Sequence, residues 1–425
     1  MTALLKFLAL AAVVAGGFSS ARAADWSQFR GPNHDGSSPE KILTAWPPGG
    51  LRQIWKTPLK DGFSAISVGG GEAFTLVTRE VDGADQEVCV ALDANSGQEL
   101  WAQPLGVAQF DGGGEKGTPD NDGGDGPRST PSYADGKVYT YSSRMVLQCF
   151  DAKTGKQIWA SNIIKDHAGH NIHWESAASP LIDGGLVFVA GGGPGESLLA
   201  FDKDDGHVVW KGQDEKMTQS TPVAATILGA RQIIFYTQSG LVSVAPKTGA
   251  VLWRYPFRFQ TATAMSPVVC GDIVFCSAAY GVGSSACRIA KAGDGFSATR
   301  LWYQPQNVFA SHWSTPVCYK GFLYGIFGQA KFGKAPLGCV NVATGQLVWS
   351  HEGFGPGGCT LVNGNILVLS DAGDLVLVKA NPSAYTEVAR SHVLAGKCWN
   401  SAGVSNGRIY ARSTKEGVSV DVSAR

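Results

Sequence analysis

The sequence predicts an all-β protein, an eight-bladed β-propeller of four-stranded antiparallel blades whose ring is closed by an N-terminal strand. Three observations lead there. A hairpin unit ending in Trp recurs along the chain, a Ser/Thr-Pro hairpin stands upstream of its copies, and one Trp-ended strand near the N-terminus has no blade before it. Self-similarity at a period of about 40–50 residues marks a propeller, because one such unit cannot bury its apolar faces alone.

The unit stands at Val90–Trp101, V-A-L-D-A-N-S-G-Q-E-L-W, and recurs at Cys149–Trp159, Ala200–Trp210, Val244–Trp253 and Val340–Trp349. Each copy joins an apolar strand end to an Asp or polar substitute, a Gly and a second strand ending in Trp. The Gly supplies the positive φ of a tight turn, and the polar residue before it bonds the turn backbone. The upstream hairpins are Ser129–Tyr141, Ser179–Val189, Ser220–Tyr236 and Ser314–Tyr324. Two hairpins make one blade.

Trp55, Trp101, Trp159, Trp210, Trp253, Trp302 and Trp349 set the count. A blade lacking Trp follows, from Gly358 to about Val393, and Lys397–Val422 then supplies only three strands. The strand Gln53–Pro58, Q-I-W-K-T-P, provides the missing one and closes the ring at eight. Closure removes the sheet edges that would otherwise invite aggregation.

Residues 1–23 read as a secretory signal peptide, with Lys6, an apolar run Phe7–Phe18 and a small-residue end Ala21-Arg22-Ala23. That run is too short for a membrane anchor. Residues 24–51 are an aperiodic lead-in, in which Trp26, Phe29 and Trp46 are expected to pack on the propeller, and residues 52–425 are the propeller itself. The expected location is periplasmic or secreted, with no transmembrane segment once the signal is removed.

Gly at 55 of 425 residues fits many tight turns rather than disorder, since 44% of the chain is apolar. Zero net charge without basic clusters argues against nucleic acid or an anionic membrane as the main partner. The nine Cys show no C-x-x-C and sit mostly inside apolar strand patterns. They are expected to be small buried hydrophobes rather than disulfide partners or metal ligands. The Gly/Asp-rich insert Val107–Pro127 reads as a surface loop, because its spacing matches no calcium loop with a closing Glu.

Within a blade the first and third turns are short, so the longer connections all emerge on the opposite face, where the innermost strands begin beside the channel. Function is expected on that long-loop face. The Ser/Thr-Pro pairs there are expected to tie down strand starts. The residues that break the repeat are Arg128, His173, Trp174, Glu175, His312, Trp313, Lys397, Trp399 and Asn400. Cations, a carboxylate and three indoles at a channel mouth suit a planar anionic ligand held by stacking and charge-assisted bonds. The same residues also suit a plug. His167, His170 and His173 lie three apart in one loop, where solvated histidines are the expectation over a metal site. No G-x-S-x-G, H-E-x-x-H or phosphate loop is present.

The repeat A-L-D-A-N-S-G-Q-E-L-W, with C-F-D-A-K-T-G-K-Q-I-W and the S-T-P strand starts, resembles the pyrroloquinoline-quinone (PQQ) enzyme repeat over nearly the whole mature chain. That family includes quinoprotein alcohol dehydrogenases and cofactor-free propellers of the BamB type. W-S-Q-F-R-G-P-N, G-P-R-S-T-P and G-K-C-W are similar to exported bacterial PQQ-like repeat proteins. The quinoprotein resemblance implies PQQ with calcium: Arg128 and Lys397 on the quinone carboxylates, Trp174 or Trp399 on its ring, Asn400 beside it, and Glu175 on the cation. The chain departs from that pattern in having no adjacent Cys pair and no Asp at the mouth. The leading expectation is therefore a non-catalytic binding propeller without a cofactor. It would present His173, His312 and Trp313 to an envelope protein, peptide or glycan.

Overall fold

The computed structural model describes residues 25–108, 126–306, 308–328 and 335–424. The predicted signal segment and most of the Gly/Asp-rich insert lie outside them. Eight sheets are formed, each of four blade strands. Blade 2 runs Ser132–Ala134, Lys137–Tyr141, Val146–Asp151 and Gln157–Asn162, each pairing antiparallel with the next, and blades 1 and 3 to 7 repeat that order. Blade 8 takes Gly403–Ser405, Arg408–Arg412 and Glu416–Asp421 from the C-terminus and Gln53–Pro58 from the N-terminus. The closing strand is antiparallel, with Trp55 opposite Ser419 and Pro58 opposite Glu416. Ring closure thus follows the sequence expectation.

The repeat motif holds each blade to its neighbour. Asp151 Oδ1 accepts from the Thr154 amide at 2.9 Å and from its hydroxyl at 2.7 Å, which shapes the turn that Gly155 completes at φ +68°. A Cβ on Gly155 would lie 2.8 Å from the Trp101 ring of the preceding blade. Trp101 Nε1 donates to the Ala152 carbonyl on that same turn at 2.6 Å. Trp55 docks in the same way on blade 1, beside Gly97 and with Nε1 3.0 Å from Ala94 O. Trp159, Trp210, Trp302 and Trp349 likewise donate to a carbonyl of the next blade. Trp253 is the exception. Blade 5 replaces the tight turn with the long hairpin Gly283–Ala292/Gly295–Gln304, and Trp253 Nε1 donates instead to Gln232 Oε1 of its own blade at 2.7 Å.

Every outer strand also carries a register shift just before the docking position: Gln157 faces Phe150 while Trp159 faces Cys149. The extra residue, Ile158, is turned outward and is 44% exposed, while Trp159 points into the blade interface. A bulge that re-aims one side chain in this way is a common device at sheet edges.

Around the channel the Ser/Thr-Pro hydroxyls link blades rather than single strands. Ala65 N donates to Thr130 Oγ1, Thr130 N to Ser179 Oγ and Ser179 N to Thr221 Oγ1, at 2.9–3.0 Å. Ser266 N donates to Thr315 Oγ1 at 3.0 Å. One expectation is corrected: Cys270 and Cys318 form a disulfide, with Cα atoms 5.8 Å apart, across the adjacent innermost strands of blades 5 and 6. The other seven Cys are buried and free, as small core residues.

The lead-in does more than pack on the ring. Trp26 O accepts from Val68 N of blade 1, and Ser27 O from Tyr133 N of blade 2. Gln28 exchanges two bonds with the Ile182 backbone of blade 3. The His34 ring nitrogens face the Ile182 and Ala224 carbonyls of blades 3 and 4. The buried Arg30 donates to Thr315 O and Pro316 O of blade 6. Ser37–Ser38 pairs in parallel with Leu361 and Val362 of blade 7, and Glu40 accepts from Asn406 N and Gly407 N of blade 8. Most of these partners lie towards the short-turn ends of the innermost strands, while the Arg30 side chain reaches along the channel to the strand start at Thr315 and Pro316. The inward edges of these strands carry unpaired backbone groups that must be satisfied. The chain's own lead-in therefore closes the short-turn end of the channel.

Candidate binding face at the mouth of the channel

With the short-turn end closed, the long-loop end is where the repeat-breaking residues gather. Arg128, at the start of blade 2, donates to the carbonyl of Trp174 in the loop leading to blade 3. Trp174 and Glu175 adopt φ +65° and +62°, and Tyr280 in the blade 5 loop adopts φ +58°. Left-handed backbone at non-glycine residues costs of order 1 kcal/mol each and persists where surrounding contacts impose it. For Trp174 and Tyr280 those contacts are aromatic.

From His173 the rings form a continuous arc. His173 lies 4.4 Å from Trp174, which stacks on Tyr280 at 6.2 Å. Tyr280 meets His312 edge-on at 5.0 Å, and His312 meets Trp313 at 4.7 Å. Trp313 stacks on Trp399 at 4.8 Å, and Trp399 on Phe63 at 5.1 Å. The Lys397 ammonium sits 4.8 Å from the Trp399 ring centre. Blades 3, 5, 6, 8 and 1 thus contribute one chain of rings. Each ring pair is worth about 0.5–1.5 kcal/mol beyond its buried area.

Polar atoms are left without partners among and beside these rings. Among the described residues they include Ser129 Oγ, Ser176 Oγ, Gln219 Oε1, His312 Nδ1, Ser314 Oγ, Trp399 Nε1 and Asn400 Oδ1, from blades 2, 3, 4, 6 and 8. Buried polar atoms without partners cost roughly 1–3 kcal/mol each, so a cluster of them calls for water or ligand. His312 is buried, and burial pulls its imidazole down to about 4, so the ring is neutral at physiological pH.

Glu175 does not stand open at the mouth. Its Oε1 lies 3.1 Å from Arg144 Nη1, and its Oε2 accepts from Asn171 Nδ2. Close by, Glu87 is buried on the blade 1 hairpin and accepts from Ser143 N at 3.0 Å. Burial pushes its carboxyl up to about 7, partly offset by the Ser143 bonds and the Arg128 charge. Asn400 donates from Nδ2 to Arg412 O at 3.2 Å, a tie within blade 8. The three loop histidines are not brought together as ligands: His167 pairs through Nδ1 with Glu196 at 2.9 Å. Asp202, Asp205 and His207 do converge, but on an exposed turn at the short-turn end, where Asp205 already pairs with His207 at 2.6 Å.

The quinone arrangement does not fit these residues as they stand. The Trp399 indole is already stacked against two rings, and Trp174 against Tyr280. The carboxylate assigned to calcium is engaged by a guanidinium and an amide. Sequence reasoning found the three indoles and His312 but missed Tyr280, Phe63 and Glu87. Tyr280 precedes a Gly in a long loop, a signal it shares with many turns, and Phe63 and Glu87 carry none.

Residues 84–326, more than half of the chain, match the family model described as outer membrane protein assembly factor BamB. The chain belongs to that family. Solved structures with the same fold include BamB from Moraxella catarrhalis, at 16% identity and TM-score 0.60, covering 88% of this chain and 98% of that one. The quinohemoprotein alcohol dehydrogenase of Comamonas testosteroni aligns at 14% identity and TM-score 0.64, covering 94% of this chain and 81% of that one. Tetrathionate hydrolase from Acidithiobacillus ferrooxidans is 24% identical over 283 residues, 59% of this chain. This BamB-family propeller spans about half the length of that curated relative. Among the described residues no helix is long and apolar enough to cross a membrane.

Proposed function

We propose that this protein is an exported, non-catalytic binding propeller that holds an envelope protein or peptide on its long-loop face. The observation that carries this reading is the aromatic arc from His173 to Phe63, which lies over buried polar atoms without partners at the channel end that the lead-in does not close. Aromatic anchors surrounded by apolar side chains dominate protein interfaces. Tyr280, Tyr303 and Val308, 41%, 45% and 57% exposed, supply such side chains on the same face. The family's description as an assembly factor for outer membrane proteins supports a partner in the envelope. A PQQ-dependent dehydrogenase remains the alternative class. It has the shared fold in its favour but no residue arrangement at the mouth.

The test is capture from envelope extract by immobilised protein. Tyr280→Ala and Trp313→Ala should together weaken capture by at least about thirtyfold, the loss of a 2 kcal/mol anchor. Both side chains are partly exposed, so thermal melting should show the fold intact. Asp135→Asn with Asn363→Asp, at the opposite end, should leave capture unchanged. Capture that depends only on the short-turn pair would overturn the reading, and so would capture indifferent to both.

A further inference from the structure

Besides the arc, the long-loop side carries a second concavity at the seam of blades 4 and 5. One lobe, of about 430 Å³, is lined by Lys216, Gln238, Arg258 and Phe259 among others. The adjoining lobe, of about 170 Å³, is lined by Tyr255, Arg258, Ser285, Arg300 and Tyr303 among others. Arg258 borders both.

The other arginines among the described residues are occupied. Arg52, Arg79, Arg144, Arg231, Arg254, Arg288 and Arg390 pair with carboxylates. Arg30, Arg408 and Arg412 donate to carbonyls, and Arg128 to Trp174 O. Among the described arginines, Arg258 and Arg300 alone have no hydrogen-bond or ion-pair partner, and both line the smaller lobe. Lys216, in the larger lobe, has no ion pair either. Two carboxylates, Asp214 and Glu215, line the larger lobe, and none lines the smaller one. Glu215 takes Arg254 and the hydroxyls of Thr237 and Ser239, and Asp214 takes the Gly195 amide at 2.7 Å.

The smaller lobe, lined by both Arg258 and Arg300, holds no carboxylate among its lining residues, and the field of such a recess attracts anions. A guanidinium presents a planar fork of donors that matches an oxyanion. The Tyr303 hydroxyl, bonded to Val282 O at 2.7 Å, and Ser285, bonded to Tyr255, add a polar wall over the aromatic floor of Phe257 and Phe259. We propose that the smaller lobe of this seam is an oxyanion-binding site in which Arg258 and Arg300 grip a carboxylate, sulfate or phosphate group. No ring of the arc lines this seam, and the proposal stands whether or not the arc captures a partner.

The test follows thermal melting and calorimetry of the full protein with sodium sulfate, sodium phosphate and a hexaglutamate peptide, each against sodium chloride of equal ionic strength. The expected result is a higher melting midpoint with at least one of the three probes than with chloride. The Arg258→Ala/Arg300→Ala variant should lose that rise and bind about tenfold more weakly, each exposed charge contact being worth a few-fold. Arg52→Ala, which removes an exposed arginine on blade 8, should keep the response. Both groove arginines are exposed and unbonded, so the double variant should melt like the parent in chloride. Tighter binding of hexaglutamate than of the inorganic ions would assign the oxyanion to an acidic chain, and binding of the inorganic ions alone to a free ion. The proposal is overturned if no probe differs from chloride, or if the double variant binds as the parent does.

Discussion

Trp55→Ala removes the residue by which the N-terminal strand grips blade 1, and its cost can be worked from the contacts. The indole is 5% exposed, lies against Gly97 and Tyr410, and donates to Ala94 O at 3.0 Å. Losing a buried Trp side chain costs about 3–5 kcal/mol. The hydrogen bond adds little to that, because Ala94 O also accepts from Arg408 at 3.1 Å and Tyr410 at 3.3 Å and is not orphaned. A loss of about 4 kcal/mol, set against an unfolding entropy of about 2.1 cal/mol/K per residue over 425 residues, lowers the melting midpoint by about 5 °C. Trp55→Phe keeps most of the ring and forfeits the bond, about 1 kcal/mol and about 1 °C. Calorimetric melting with urea titration alongside reads both. A midpoint for Trp55→Ala within 1 °C of the parent would refute the view that the closing strand is held through its indole.

Two further outcomes follow from the same contacts. Glu87 has a folded pKa of about 7, raised above its ordinary value by burial, so the folded state holds a proton that the unfolded chain has released between pH 4.5 and 7. Stability contributed by this group therefore falls as pH rises through that window. Glu87→Gln should be more stable than the parent at pH 8, by up to about 3 kcal/mol, and equally stable at pH 4, as read by urea titration at the two pH values. Thr130→Val leaves the buried Ala65 amide without the acceptor it meets at 3.0 Å and should cost about 1–3 kcal/mol by urea titration.

The architecture was legible because a propeller writes itself into the sequence once per blade: Asp, Gly and Trp recur since each indole must find a turn on the next blade. Even the orphan strand at Trp55 could be placed, because its Trp had no blade of its own. Elements that do not repeat were harder to read. Gln28, Arg30 and His34 look like surface residues by composition, yet they are buried because the open inner edges of the blades need polar partners. The Cys270–Cys318 bridge had a readable signal, since their separation of 48 residues is one blade period and each follows a Ser/Thr-Pro at a strand start. At the mouth, the indoles were visible as breaks in the repeat. Their joining through Tyr280 was not, because it depends on left-handed loop backbone that no local pattern announces.

The most direct test of the central claim is a hydrogen-exchange footprint of the protein with its captured envelope partner. The account predicts slowed exchange in segments 171–176, 278–284, 309–315 and 397–401, which carry the arc, and unchanged exchange in the short-turn segments 134–137 and 362–365. Protection confined to those short turns, with the arc segments exchanging as in the free protein, would contradict it.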